Sequence, residues 1–211
     1  MKSGMDKSTE LILEYAKELA KQNVVGTGDC ISVRSGAYLI ASKADVRLED
    51  LTENDVVKIK MSDAQGEYAL HARIYAAKSD ASAVCHCHPA WVEPIARCGA
   101  VIPAVTDDMT QIVGRNCKTC KNDAGTIAKN LKKRNSTLVA GDGCVTAGRT
   151  LNEAVTCVLV LDKAAHCFVA STVLKKNVLI NFFEATLMNV IYKMKYSKKN
   201  QENLQSEEGS L

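Results

Sequence analysis

The chain has 211 residues, 46% of them apolar, and a formal net charge of +3 from 27 basic and 24 acidic side chains. That length suits one α/β domain with a sizeable core, and the near-balanced charge excludes the strongly basic signature of a nucleic-acid binder. No apolar signal-peptide core follows the N-terminus, and the apolar run 178–191 is interrupted by Asn181 and Glu184 and too short to span a bilayer, so a cytoplasmic chain with no membrane partner is expected.

Residues 8–22 carry Leu11, Ile12, Tyr15 and Leu19 at helical spacing, with Ser8 as the candidate N-cap. The turn Gly26-Thr27-Gly28-Asp29 leads into two short strands, 30–34 and 37–40, and a third is expected at 56–59. A helix over 67–77 precedes a strand over 83–88 that stops at Pro89. A helix over 90–98, an extended stretch over 101–105 and an amphipathic helix over 123–133 follow. Strands at 137–140 and 144–146 flank Gly141-Asp142-Gly143. Helical periodicity covers 151–173 and again 174–196, and the polar residues 197–211 read as an unstructured tail. The chain therefore divides into one domain, 1–196, and that tail. Short strands interleaved with helices indicate a layered α/β domain.

Nine cysteines in a chain without an export signal point to reduced thiols, several of them in apolar stretches. Cys117-x-x-Cys120 has no second pair nearby and reads as a loop with two free thiols, ahead of the alternative of a zinc or redox site. Gly26-x-Gly28 lacks the third glycine of a dinucleotide fingerprint and precedes strands rather than a helix, which excludes a Rossmann site.

Ala83-Val84-Cys85-His86-Cys87-His88-Pro89 is the most informative segment. Side chains two apart on a strand share a face, so His86 and His88 project together while Cys85 and Cys87 face a core. Two imidazoles on one face suit Zn²⁺ or a similar cation, and equally suit hydrogen-bonded histidines at a strand end. Glu67 opens its helix, where the dipole favours an acid. It reads either as a helix-start acid or as a general acid/base. His71 and His166 read as packed or solvated helix residues.

Taken together, these segments resemble the class II aldolase/adducin family over roughly residues 8–190. The resemblance rests on the turn and strand 26–34, on Leu51-Thr52-Glu53-Asn54-Asp55-Val56-Val57, on Glu67-x3-His71-x2-Ile74-Tyr75 followed by Asp80 to Pro89, and on Thr150-Leu151-Asn152-Glu153-Ala154. It implies a three-layer α/β/α fold with a central, mainly antiparallel sheet and a ring-like homotetramer. It also implies a lyase of carbohydrate metabolism that makes or cleaves a C–C bond in a small hydroxy-carbonyl substrate. In such enzymes Zn²⁺ polarises the substrate carbonyl or enediolate. Related epimerases, decarboxylases and the non-catalytic adducin head are the alternatives. By the same resemblance His86 and His88 are metal ligands and Glu67 is the acid/base.

Three departures from the family pattern stand out. Asp142 occupies the place of the third family histidine: it is either a carboxylate ligand, shifting preference toward Mn²⁺ or Fe²⁺, or a turn aspartate. The phosphate-binding places, with Gly28 in the early turn, hold Cys30, Ser42, Lys43, Gln65 and Gly66 in place of a hydroxyl cluster, which weakens the case for a sugar phosphate. Asp107 and Asp108 fall where the family brings in a further proton-transfer residue, with Asp108 the candidate, or else are solvated loop acids.

Overall fold

The structure, a computed structural model, describes residues 6–176 and 179–208. In chain order the helices are α1 (Lys7–Lys21), α2 (Gly66–Ala77), α3 (Val92–Arg97), α4 (Asp107–Ile112), α5 (Ala124–Leu131), α6 (Leu151–Val173) and α7 (Phe182–Glu208). The strands are β1 (Cys30–Ser35), β2 (Tyr38–Ser42), β3 (Val56–Lys60), β4 (Ala83–Cys87), β5 (Val101–Pro103), β6 (Asn116–Cys120), β7 (Ser136–Val139) and β8 (Cys144–Gly148).

The eight strands form one sheet in the order β3-β2-β1-β4-β8-β7-β6-β5. Only β6 and β7 pair in parallel; every other pairing is antiparallel. The hairpins β1–β2 and β7–β8 meet through β4, which pairs with β1 and β8 and so lies centrally. In that register His86 stands opposite Cys30 on one side and Val145 on the other.

Strand alternation sorts the core onto the two faces. On one, Ile31, Val33, Cys85 and Cys87 meet Ile12, Ala16 and Leu19 of α1 and Val155 and Val158 of α6. On the other, Val84, Val139 and Val145 meet Leu70 and Ile74 of α2 and Ile127 and Leu131 of α5. A third cluster, under α3 and α4, joins Ile102, Met109 and Leu138 to Leu161 of α6. Helices thus cover both faces, giving the expected three-layer α/β/α arrangement. Each fully buried Leu or Ile in these clusters contributes about 1.5–3 kcal/mol relative to exposure.

Local signals explain the helix starts. Asp123 caps α5 by accepting from Thr126 N at 2.8 Å. Thr150 caps α6 by accepting from Glu153 N at 3.1 Å, while the Glu153 carboxylate accepts from Arg149 N at 2.8 Å. α6 is long and apolar enough, by length and composition, to cross a membrane; its buried face packs on β4, β8 and α1.

Several expectations are corrected. Asp6, not Ser8, is the residue before α1, and it makes no side-chain cap. Cys117 and Cys120 lie on strand β6, both buried, not in a loop. The segment 107–112 is a short helix. Helical periodicity over 174–196 is broken by a turn at Leu174 and Lys175, with helix resuming at Phe182; residues 177–178 lie outside the described residues. α7 runs through Glu208, although the composition from 197 onward predicts an unstructured tail, and residues 209–211 lie outside the described residues.

Candidate functional site

Four segments converge at one end of the sheet. β4 ends there and delivers His86 and His88. The β7–β8 turn delivers Asp142, closed by Asp142 N→Val139 O and Val139 N→Gly143 O bonds, both 3.0 Å. The first turn of α2 delivers Glu67 and, one turn later, His71. The loop before β1 delivers Asp29. Space at the junction is tight. A Cβ on Gly26 would sit 2.6 Å from His88 Cβ, and one on Gly143 would overlap the Cys87 carbonyl, at a φ of +66°. Glycine is the residue that allows both approaches.

The two imidazoles lie with ring centroids 4.9 Å apart. His86 is 3% exposed. Its Nδ1 is 2.9 Å from Glu67 Oε1, and its Nε2 donates to the Asp142 backbone oxygen at 2.9 Å, with Asp142 Oδ2 at 3.7 Å. His88 Nδ1 donates to Asp29 Oδ1 at 2.8 Å, and its Nε2 meets Asp142 Oδ1 at 3.0 Å. Asn122 holds the other Asp142 oxygen at 2.9 Å. Behind Glu67, His71 is fully buried, with Nε2 3.0 Å from Glu67 Oε1 and Nδ1 2.7 Å from Ser32 Oγ. Ser32 Oγ is in turn 2.8 Å from the buried Tyr75 hydroxyl.

The partners settle the proton positions. Carboxylates and carbonyls only accept, so the Nδ1 atoms of His86 and His88 carry hydrogens, and in this arrangement the Nε2 atoms do too. Burial works against a charged His88, but the hydrogen bonds to Asp29 and Asp142 outweigh it and push its pKa up to about 9. His86 is raised likewise, burial being outweighed by Glu67 and by the Asp142 carbonyl. Burial would raise the Glu67 carboxyl, but the His71 ring in contact with it and the hydrogen-bonded His86 hold it well below the usual carboxylate range. The Asp142 carboxyl is lowered, chiefly by His88 and His86 against its burial.

His86, His88 and Asp142 offer one ligand atom each, all within 4.8 Å of one another. The donor set fits a divalent cation. Each imidazole has its Nδ1 anchored by a carboxylate, the arrangement that orients metal-bound histidines, and each Nε2 faces the third donor. A cation there would replace the two Nε2 protons. With neutral rings, the carboxylates of Glu67, Asp29 and Asp142 make the cluster strongly attractive to positive charge.

The remaining candidates are placed as follows. Gly28, at φ +88°, lies against the His88 ring, a Cβ there being 3.7 Å from Cε1. Gln65 and Gly66 are exposed at the start of α2, next to Glu67. Lys43 is half-buried and pairs with Asp55 at 3.3 Å. Cys30 and Ser42 are both fully buried, the thiol donating to Ser42 O at 3.3 Å and Ser42 Oγ accepting from Ile31 N at 2.9 Å. Neither side chain lines open space. Asp108 is spent on Lys163 of α6 at 2.6 Å and on Met109 N at 2.9 Å, and Asp107 is exposed. His166, exposed on α6, stacks on Trp91 with centroids 4.2 Å apart.

Asp29, Asn122, Ser32 and Tyr75 were not singled out as site residues from the sequence. Asp29 had a usable signal: it directly precedes a strand that pairs antiparallel with the histidine strand, which puts it beside His88 once that pairing is known.

The model of the class II aldolase and adducin N-terminal domain family matches residues 10–169. The chain is 27% identical over 159 residues to a 5-methylthioribulose-1-phosphate/5-deoxyribulose-1-phosphate aldolase of Rhodospirillum rubrum, covering 67% of this chain and 70% of that protein. It is 24% identical over 156 residues to an L-fuculose phosphate aldolase of Methanococcus maripaludis, covering 69% and 87%. Among solved structures it resembles an L-fuculose 1-phosphate aldolase with a TM-score of 0.80 at 19% identity, covering 90% of this chain and 99% of that one. The Thermus thermophilus L-fuculose-1-phosphate aldolase gives a TM-score of 0.72 at 16% identity, covering 81% and 97%. At such identities the structural likeness speaks for the fold alone.

Proposed function

This chain belongs to the class II aldolase and adducin N-terminal domain family, and from that premise we propose that it is a metal-dependent lyase acting on a small hydroxy-carbonyl, sugar-like compound. The observation that carries the reading is the convergence of His86, His88 and Asp142 within 4.8 Å beside Glu67. His86 Nε2, His88 Nε2 and an Asp142 carboxylate oxygen would hold Zn²⁺, or Mn²⁺ or Fe²⁺ given the one hard ligand. Bound there, the ion supplies Lewis-acid polarisation of a substrate carbonyl.

The protein's own residues supply the proton chemistry. Glu67 Oε1 is held by His71 and His86, which leaves Oε2 without a protein partner among the described residues. Glu67 is ionised at neutral pH, the form that accepts a proton, and its relay to His71, Ser32 and Tyr75 fixes its orientation. Gly28, Gln65 and Gly66 border this space and are the substrate-facing backbone in this reading. The burial of Cys30 and Ser42 and the pairing of Lys43 with Asp55 support a substrate whose phosphate, if it has one, is held by other groups. Asp108 has no part unless a second subunit brings one close.

The relatives named as aldolases of 5-methylthioribulose-1-phosphate and L-fuculose phosphate support cleavage of a ketose; a place in cytoplasmic carbohydrate metabolism is part of the proposal. The exposed apolar face of α7, Phe183, Leu187, Ile191 and Met194, supports a homo-oligomer, assigned here as a tetramer. A related epimerase or a non-catalytic scaffold is the competing reading, favoured by the burial of Cys30 and Ser42.

Elemental analysis of wild type, His86→Ala and Asp142→Ala, followed by a carbonyl-release assay on phosphorylated and free ketoses, tests the proposal. About one metal per chain, lost in both variants, with ketose cleavage in wild type only, is expected. A wild type that takes up no divalent metal even when supplemented overturns it.

A further inference from the structure

At the opposite end of β4, β7 and β8 from the histidines, five cations border one cavity of about 410 Å³: Lys78, Lys132, Lys133, Arg149 and Lys193. Topology brings them together. Lys78 ends α2, Lys132 and Lys133 follow α5, Arg149 follows β8, and Lys193 reaches in from α7. The five residues of β4 and β8 separate this cavity from the Asp142 turn by roughly 16 Å at strand rise.

Among the described residues two carboxylates line the space, and both are committed. Lys78 Nζ lies 3.4 Å from Asp80, and Arg149 Nε lies 3.3 Å from Glu153. Lys132, Lys133 and Lys193 have no carboxylate in the lining, so three positive charges are in excess. Lys132, Lys133 and Lys193 stand exposed around the cavity, over a buried floor. The Lys78 side chain is 7% exposed and that of Glu153 is 4% exposed. The Lys193 ammonium is pushed below the ordinary lysine range, first by partial desolvation and then by Lys78 and Arg134, with Glu153 acting the other way. Like charges crowded around one cavity repel one another, and an anion joining them relieves that repulsion. The Asn135 side-chain amide adds a neutral donor to the lining.

We propose that this cavity is a binding site for a small multivalent anion of the phosphate class, of the size and charge of pyrophosphate. The dimensions match a small-molecule site rather than a flat polyanion track. The free donors are ammonium point charges, which suit phosphate oxygens. The one guanidinium, whose fork matches carboxylate and phosphate alike, is already engaged by Glu153. The site shares no side chain with the histidine cluster, so its occupancy is separable from catalysis.

The test titrates inorganic pyrophosphate into the metal-free full-length chain by calorimetry and thermal melting. It compares wild type, the exposed double substitution Lys132→Glu/Lys133→Glu, and His86→Ala. Saturable binding that raises Tm, weakens with added salt, falls at least about tenfold in the double variant and is unchanged in His86→Ala is expected. No saturable binding below about 10 mM, or binding indifferent to the double substitution, overturns the proposal. Binding lost in His86→Ala also overturns it, because the anion is then at the histidine cluster.

Discussion

A single carboxylate oxygen, Asp29 Oδ1, holds His88 at two points, accepting from its backbone N–H at 2.9 Å and from its ring Nδ1 at 2.8 Å. The other oxygen, Oδ2, accepts from Gly26 N at 2.7 Å. The fully buried carboxylate therefore sets both where the His88 main chain runs and which way the ring faces. Asp29→Asn keeps the shape but removes the charge and one acceptor. We expect it to weaken divalent-metal affinity by about 10–100-fold, measured by competition with a chromophoric chelator. Unchanged affinity would show that the ring is oriented by something else.

Glu67→Gln preserves size and removes the proton acceptor. Metal affinity should weaken as in Asp29→Asn, because Glu67 anchors His86 Nδ1, but at saturating metal the content should stay near wild type, because Glu67 lies outside the His86, His88 and Asp142 donor set. Turnover on an active ketose should fall by about 10²–10⁴-fold. Loss of metal together with activity would instead make Glu67 a support of the metal centre.

The metal-free protein should lose stability as pH rises. His88 is raised to about 9 from an ordinary 6.5. Its contribution is thus fully present below 6.5 and is lost as pH climbs through about 9, on the order of 2 kcal/mol. Asp142 is lowered, so its contribution is present above the ordinary carboxylate range and is lost on acidification. Thermal melts of chelator-treated protein should peak near neutrality and fall by pH 9–10, and Asp29→Asn should flatten the alkaline limb. Metal affinity should move the other way and rise with pH, because binding displaces the Nε2 protons.

Gly143→Ala combines a φ of +66° with a Cβ driven into the Cys87 carbonyl and against His88, whereas Gly36→Ala has a φ of +59° with nothing within 4 Å of the new methyl. The second should cost about 1 kcal/mol, the first more than about 2 kcal/mol. Urea denaturation of the pair separates backbone strain from collision, and equal losses would contradict the close approach at the site.

Cys98 and Cys167 are exposed and the other seven cysteines are buried. Burial pushes the thiols of Cys85 and Cys117 up to about 12 and about 11. Under native conditions two thiols per chain should react rapidly with a disulfide reagent, the rest only on unfolding. Rapid reaction of four or more would revive a redox role for the Cys117–Cys120 strand.

Much of the architecture could be read from local pattern. The apolar run 151–173 became α6 at the same boundaries. The alternation Cys85-His86-Cys87-His88 correctly separated thiols facing α1 and α6 from imidazoles facing the site. The missed elements are short. β6 reads Asn-Cys-Lys-Thr-Cys, with its buried cysteines three apart rather than two, and its pairing with β5 and β7 makes it a strand. Asp29 escaped because its partner lies 59 residues away, across a strand pairing that no local periodicity reveals. Cys30 and Ser42 were named from their place in a family pattern, which says where the backbone runs, not which way a side chain turns; both side chains are buried.

The ends of the sheet matter for how the protein behaves in a crowded solution. One outer strand, β3, presents Lys58 and Lys60 as exposed residues, and the other, β5, is three residues long and closes on Pro103. A charged rim on one side and a stub lacking an amide hydrogen on the other give a foreign strand little to zip onto. Fibrillar growth by edge-to-edge templating is therefore disfavoured at both margins, and association between copies falls to the helical surfaces.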